Sequence, residues 1–235
     1  MHRFAALIAG YGVHGTTLAL SFRESDLLLP EQLLIVDRYA EPLSVIQERF
    51  RDCRTHMLRS GMSDSVCASP QALQQFADQS QRAVSDCDAT WHRPTAQIFV
   101  DHARSVARSQ GLAASLLRGL VTTLARERDG TVRVTTSSGV YHTQRLYLAM
   151  GMDAPDAPEW ASRYRGHDAR ISHVFDRDYE LEHLPDGQQC AVVGGGITSV
   201  QVARSLVETR GRRVLYVTRR PLDEPRPGNK SDDWV

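Results

Sequence analysis

The sequence predicts an α/β fold: a Rossmann-like parallel sheet with a β-meander, in three layers, followed by a partial second Rossmann unit. Two glycine-rich turns are the first observation. Gly10-Tyr-Gly-Val-His-Gly15 and Gly194-Gly-Gly-Ile-Thr-Ser199 each stand between an apolar run and a helical pattern, the context in which such a turn has meaning. The second observation lies between them, where short β-rich runs are separated by Asp129-Gly130 and Ser138-Gly139, as in a meander. The third is size: 235 residues, 41% of them apolar, suffice for one large domain or two small ones. The expected division places the first domain at 1–185 and the partial second unit at 186–235.

The apolar run Phe4 to Ala9 reads as the first strand, and Val13, Leu18, Ala19, Leu20 and Phe22 put apolar groups on one side of the helix that the first turn opens. That helix should end near Ser25-Asp26. Gln32 to Asp37 reads as a buried parallel strand, because a continuous apolar run suits a sheet covered on both faces. A βαβ unit is then complete. Pro42 to Phe50 reads as helix, Ser60 to Ser69 as loop, and Pro70 to Ala83 as a helix with proline in its first turn. Pro94 opens a further helix, with Ile98, Ala103, Val106 and Ala107 on one side and Gly111 as its stop. Leu120 to Ala125, Thr131 to Thr135 and Val140 to Thr143 form the meander, and Arg145 to Met150 is a separate strand ending at Gly151. A connection containing Pro155 and Pro158 leads to the strand Cys190 to Val193. The second helix buries Val200, Val202, Ala203, Leu206 and Val207, and Arg213 to Thr218 is its partner strand.

Composition removes several classes of function. Lys plus Arg and Asp plus Glu each total 28, so no net charge draws the chain toward nucleic acid or an anionic membrane. No apolar stretch nears the roughly 20 residues that span a bilayer, and the N-terminal run breaks at Gly10, too early for a signal peptide. A cytoplasmic protein is expected. Cys53, Cys67, Cys87 and Cys190 are too few and too widely spaced for a disulfide framework. The nine histidines are scattered, so no metal site is expected.

The chemistry resides in the two turns. In such a turn the first glycine permits the bend, the second lets backbone approach a pyrophosphate, and the third lets helix and strand pack closely. The helix N-terminus then aims free N–H groups and the positive end of its dipole at the phosphates. These positions are Gly10, Gly12 and Gly15 in the first turn, and Gly194, Gly196 and the small Ser199 in the second, with Thr16 and Thr198 as added hydroxyl donors. Asp37 follows Gly15 by 22 residues, the spacing of an acid that meets an adenosine ribose. The first unit is therefore suited to FAD or NAD. The second strand ends instead in Thr218-Arg219-Arg220, and two guanidinium groups suit the extra phosphate of NADP. His14, inside the first loop, packs beside it or faces solvent and takes no assigned role.

The order of these parts resembles the two-dinucleotide-binding-domain flavoproteins, in particular the flavin-containing and N-hydroxylating monooxygenases and related FAD/NAD(P)-binding oxidoreductases. The resemblance is carried by residues 7–15, by Ile35-Val-Asp37, by Leu146-Tyr-Leu-Ala-Met-Gly151 and by Val192-Val-Gly-Gly-Gly-Ile-Thr-Ser199. The third stretch is similar to the family's motif at a second passage by FAD, with Met150 where threonine is usual. Ile171-Ser-His-Val-Phe175 resembles the link between the two regions. The resemblance implies FAD in the first unit, NADPH in the second, hydride passing between them, and oxygenation of a nucleophilic nitrogen or sulfur on a small-molecule substrate. It implies no particular catalytic residue. In such proteins the chain later returns to complete the FAD domain; here a truncated member, a fragment, or a partner or second copy supplying the remainder is expected. Two other readings stand beside it. A pyridine-nucleotide disulfide reductase shares the architecture but uses cysteines close in sequence, whereas thirteen residues separate Cys53 from Cys67. The other is a nucleotide-binding protein without independent catalysis.

Overall fold

The computed structural model describes residues 3–82, 92–151, 157–164, 171–176, 179 and 189–221. The chain forms two compact units, Met1–Gln47 with Ser60–Asp153, and Glu48–Arg59 with Ala154–Val235. Cys87 and Pro155 lie outside the described residues.

In the first unit β1 (Arg3–Ala9) leads through the first glycine turn into α1 (Val13–Glu24) and, after a 3-10 turn at Pro30–Gln32, into β2 (Leu33–Asp37). Next come α2 (Ser44–Asp52), which runs on into the segment counted with the second unit, then α3 (Ala72–Gln79) and α4 (Ala96–Ser109). Pro70 therefore precedes α3, and Gln71 is its N-cap. Thr95 caps α4, its hydroxyl accepting from the Ile98 N–H at 3.2 Å, and Gly111 ends that segment in the left-handed region at φ +66°. The strands β3 (Leu116–Arg118), β4 (Val121–Arg126), β5 (Val132–Thr136) and β6 (Gly139–Leu148) follow.

All six strands join one sheet in the order β3-β2-β1-β6-β5-β4. The first four run parallel and the last two pairings are antiparallel. Expected as two strands, residues 139–148 instead form the single strand β6, whose first half pairs with β5 while the part from His142 to Leu148 pairs with β1. The polar Gln144-Arg145 that divided the pattern lies within it, exposed.

The sheet doubles back on itself. Only Gly119 and Leu120 connect β3, at one edge, to β4, at the other. Val134 of β5 packs into one cluster with Leu7, Leu34 and Val36 of the parallel strands, flanked by Leu117, Val121 and Tyr141. The meander therefore lies across one face of the parallel strands, while α1 contacts β1 and β2 and also meets α4. Helices, parallel strands and meander make the three layers. The burial of Leu7, Ile8, Leu20, Ile35 and Ile98 is complete, and each such side chain contributes about 1.5–3 kcal/mol by transfer from water.

The second unit contains α5 (Glu159–Ser162), β7 (Cys190–Val193), α6 (Ile197–Arg210) and β8 (Val214–Val217), with β7 and β8 parallel. Cys190, Val192 and Val214 pack against Val202 and Leu206 of α6. The alternate residues Val193, Leu215 and Val217 face away and are 54%, 55% and 41% exposed. The apolar side expected of α6 needs correction: Val200 and Val207 are exposed, and Ser205 is buried in their stead. Gly211, at φ +58°, stops the helix. Among the described residues no helix is long and apolar enough to cross a membrane, and no three metal-ligating side chains gather.

Candidate functional site

The first turn sits where the sheet order reverses, at the carboxyl ends of β1 and β6, the crevice in which open α/β sheets hold ligands. Its three glycines differ in what surrounds them. A Cβ on Gly10, at φ +111°, would lie 2.2 Å from the Ala149 carbonyl oxygen, and one on Gly15 would lie 1.9 Å from the Gly10 carbonyl oxygen. Both are required by backbone packed on backbone. Gly12 has no protein atom within 4 Å of that position, so it alone opens onto free space. Gly10 also brings the Ala149–Gly151 segment beside the turn, and Gly151 itself has left-handed backbone at φ +73° with open space about it.

Asp37 holds the turn directly. Its Oδ2 accepts the Tyr11 N–H at 2.6 Å and its Oδ1 the Tyr39 N–H at 2.9 Å. Each carboxylate oxygen keeps a further lone pair, so bracing the loop and meeting a ribose are compatible. The Tyr11 carbonyl is drawn inward, accepting from the Leu43 N–H at 2.9 Å and the Thr16 hydroxyl at 3.3 Å. Across a planar trans peptide N–H and C=O point in opposite directions, so the Gly12 N–H is turned outward. Thr16, fully buried, thus braces the turn from beneath instead of presenting its hydroxyl at the surface. Sequence reasoning missed Leu43. It is buried and adopts φ +62°, a conformation rare for a bulky side chain, and its N–H is what fixes Tyr11. Burial, with Glu41 adding to it, pushes the Tyr11 phenol up to about 12, so the ring stays neutral under the loop. His14 is exposed.

The second turn is closed by a side chain. Gly194 has φ +151°, and a Cβ there would lie 3.1 Å from the Cβ of Ser199. The Ser199 hydroxyl reaches the Gly194 carbonyl at 3.0 Å and the Gly196 carbonyl at 2.6 Å. Gly195 and Gly196 open onto free space, as Gly12 does. Arg219 and Arg220 follow β8, both exposed, and neither enters an ion pair among the described residues. The Thr218 hydroxyl donates to the Arg220 carbonyl in a local turn. A groove of about 300 Å³ beside α6 is lined by Arg54, His56, Ser205, Arg204 and Glu208, among others. Arg204 and Glu208 already pair there at 2.8 Å.

Among the described residues the cysteines offer no reactive pair. Burial pushes the Cys53 thiol up to about 11, with Asp52 adding to it, and burial pushes Cys67 to about 11 as well, with Glu24 adding to it. His173, in the link segment, accepts the Phe175 N–H on Nδ1 at 3.0 Å and so shapes a local turn.

A doubly layered sheet carrying a strand–glycine turn–helix unit, followed by a second such unit, defines a protein of the dinucleotide-binding α/β class. More particularly, the chain belongs to the pyridine nucleotide-disulphide oxidoreductase family, whose model matches residues 7–232. Comparison with curated proteins gave no match. Among solved structures, an ornithine hydroxylase from Pseudomonas aeruginosa superposes with a TM-score of 0.75 at 17% identity, over 97% of this chain and 57% of its own. An ornithine N-hydroxylase from Kutzneria sp. 744, solved with reduced FAD, NADP+ and L-ornithine, gives 0.72 at 18% identity, over 95% of this chain and 56% of its own. A bacillithiol disulfide reductase from Staphylococcus aureus gives 0.63 at 15% identity, over 96% and 60%. The chain spans somewhat over half the length of these proteins, and at such identities the likeness is one of fold.

Proposed function

We propose that this chain acts as an FAD-dependent NAD(P)H oxidoreductase of the monooxygenase-like kind. One observation carries the reading: in each turn some positions are consumed by internal packing, and at others a Cβ would meet no protein atom within 4 Å. Gly10, Gly15 and Ser199 belong to the first set, Gly12, Gly195 and Gly196 to the second. Such a cradle suits a pyrophosphate approached by backbone N–H groups at a helix start.

In this reading Gly10, Gly12 and Gly15 hold FAD, with Asp37 accepting from its ribose and Gly151 beside it. Gly194, Gly196 and Ser199 hold NADPH, and Arg219 and Arg220 take its 2′-phosphate through charge-assisted hydrogen bonds. A flavin held there would supply the hydride chemistry with reduced nicotinamide, so the protein's own part is binding and orientation. The Kutzneria relative, solved with FAD and NADP+, supports the pairing of cofactors. Raised thiol pKa values at Cys53 and Cys67 weigh against disulfide chemistry.

The test is the absorbance of purified protein before and after anaerobic NADPH. Yellow protein that bleaches supports the reading; colourless protein that takes up no added FAD sinks it. A second reading, nucleotide binding without independent catalysis, is favoured by the open apolar face of β7 and β8. It predicts protein that binds FAD and is not bleached by NADPH.

A further inference from the structure

The hydroxyl of Tyr216, in the middle of β8, lies 2.7 Å from Ser199 Oγ. Proton accounting gives this contact a direction. A serine hydroxyl has one proton, and the other two partners of Ser199 Oγ, the carbonyls of Gly194 and Gly196, can only accept. The serine proton is therefore committed to those carbonyls, and Tyr216 is the donor to Ser199. The chain of bonds runs one way, from the phenol to the serine to the turn.

The geometry of a trans peptide extends the consequence to the outer side. With the Gly194 and Gly196 carbonyls drawn toward Ser199, the N–H groups of Gly195 and Ile197 in the same peptides point away from it. Those two N–H groups stand at the start of α6, where a Cβ on Gly195 or on Gly196 would meet no protein atom within 4 Å. The first turn reaches the same end differently, through the tight contact of Gly15 on the Gly10 carbonyl. A third residue larger than glycine forfeits that contact, and a hydroxyl braced from the neighbouring strand replaces it.

We propose that Tyr216 is a positioning residue of the second turn, acting through Ser199 to present the turn's N–H groups to a dinucleotide pyrophosphate. The inference rests on the reading of this turn as the NADPH site.

The test titrates NADP+, ADP-ribose and 2′-AMP into the full chain and into Tyr216→Phe, Ser199→Ala, the double variant and Ser199→Thr, with thermal melting of each alone. Loss of one hydrogen bond weakens binding of NADP+ and ADP-ribose by about three- to tenfold in each of the two single variants. The double variant should bind no worse than Ser199→Ala, because the phenol acts only through the serine. Ser199→Thr, which keeps the hydroxyl, should hold its affinity, and 2′-AMP, which has no pyrophosphate, should bind all forms alike. Multiplicative losses in the double variant, an equal fall for 2′-AMP, or unchanged binding by Tyr216→Phe overturns the inference alone. Wild-type protein that binds neither NADP+ nor ADP-ribose overturns the reading of the turn together with it.

Discussion

Replacing Gly15 and Gly12 by alanine, one at a time, separates two roles that one sequence motif combines. The Cβ of Gly15→Ala would lie 1.9 Å from the Gly10 carbonyl oxygen and 2.9 Å from its carbon. An ordinary carbon–oxygen contact takes about 3.3 Å, so the start of α1 must retreat by about 1.4 Å. No flexible side chain stands in between to absorb this, and the retreat loosens the fully buried Ala19 and Leu20 on β1 and β2. Overpacking of a rigid core costs typically 1–3 kcal/mol, and a clash of backbone with backbone belongs at about 3. For a chain of this size that lowers Tm by roughly 6–12 °C. Gly12→Ala meets no protein atom and has φ −75°, which any residue adopts. Its melting temperature should fall by no more than about 2 °C, at the ordinary cost of a surface substitution. Its methyl group, however, occupies the space assigned to the pyrophosphate, so FAD uptake should fall at least about tenfold, as for any group displaced from a charge-assisted hydrogen bond. Differential scanning fluorimetry and FAD titration read the two effects. Equal melting of Gly15→Ala and wild type would refute the packing argument; full FAD affinity in Gly12→Ala would refute the placement of the phosphates.

Two further outcomes follow from side chains. Burial holds the His102 imidazole down at about 4, against 6.5 when free, so between these values the unfolded chain binds a proton that the folded one does not. Stability from this group is present above pH 6.5 and is lost as pH falls to about 4, by up to about 3 kcal/mol; urea unfolding across that window should lose the slope in His102→Phe, and an unchanged slope would count against it. Changing Arg219 and Arg220 together to alanine should raise the apparent Kd for NADPH roughly 10- to 100-fold, the loss of charge-assisted hydrogen bonds, while NADH binding is unaltered. Equal losses for both nucleotides would mark these arginines as surface charge.

Much of the first unit was legible because its signals are local. Residues 6–9 and 33–36 of the apolar runs bury continuously, and the glycine spacing fixed the start of α1. What escaped depends on contacts distant in sequence. Three-residue β3 is too short to show a period, and β6 looked divided because Gln144 and Arg145 are polar, although both lie within its run of pairing with β1. The face of α6 was misjudged because apolar character alone does not show which side meets β7 and β8: Val200 and Val207 stand exposed while Ser205 is buried. Asp37 was found by spacing, but its hold on the Tyr11 N–H was not, nor was Leu43, whose left-handed backbone no propensity favours. The bond from Tyr216 to Ser199 joins a strand to a helix start and is equally invisible in one dimension.

The close approach of Ala149 to Gly10 also sets an order of assembly. The backbone that packs against Gly10 is made about 140 residues after it, on the order of ten seconds at ordinary rates of synthesis. Until then β1 lacks β6 on one side, and closing so long a loop is slow. The glycine turn is thus among the first parts of the unit to be synthesised and among the last to be finished. A nascent chain that has not yet reached Ala149 carries the motif without its floor.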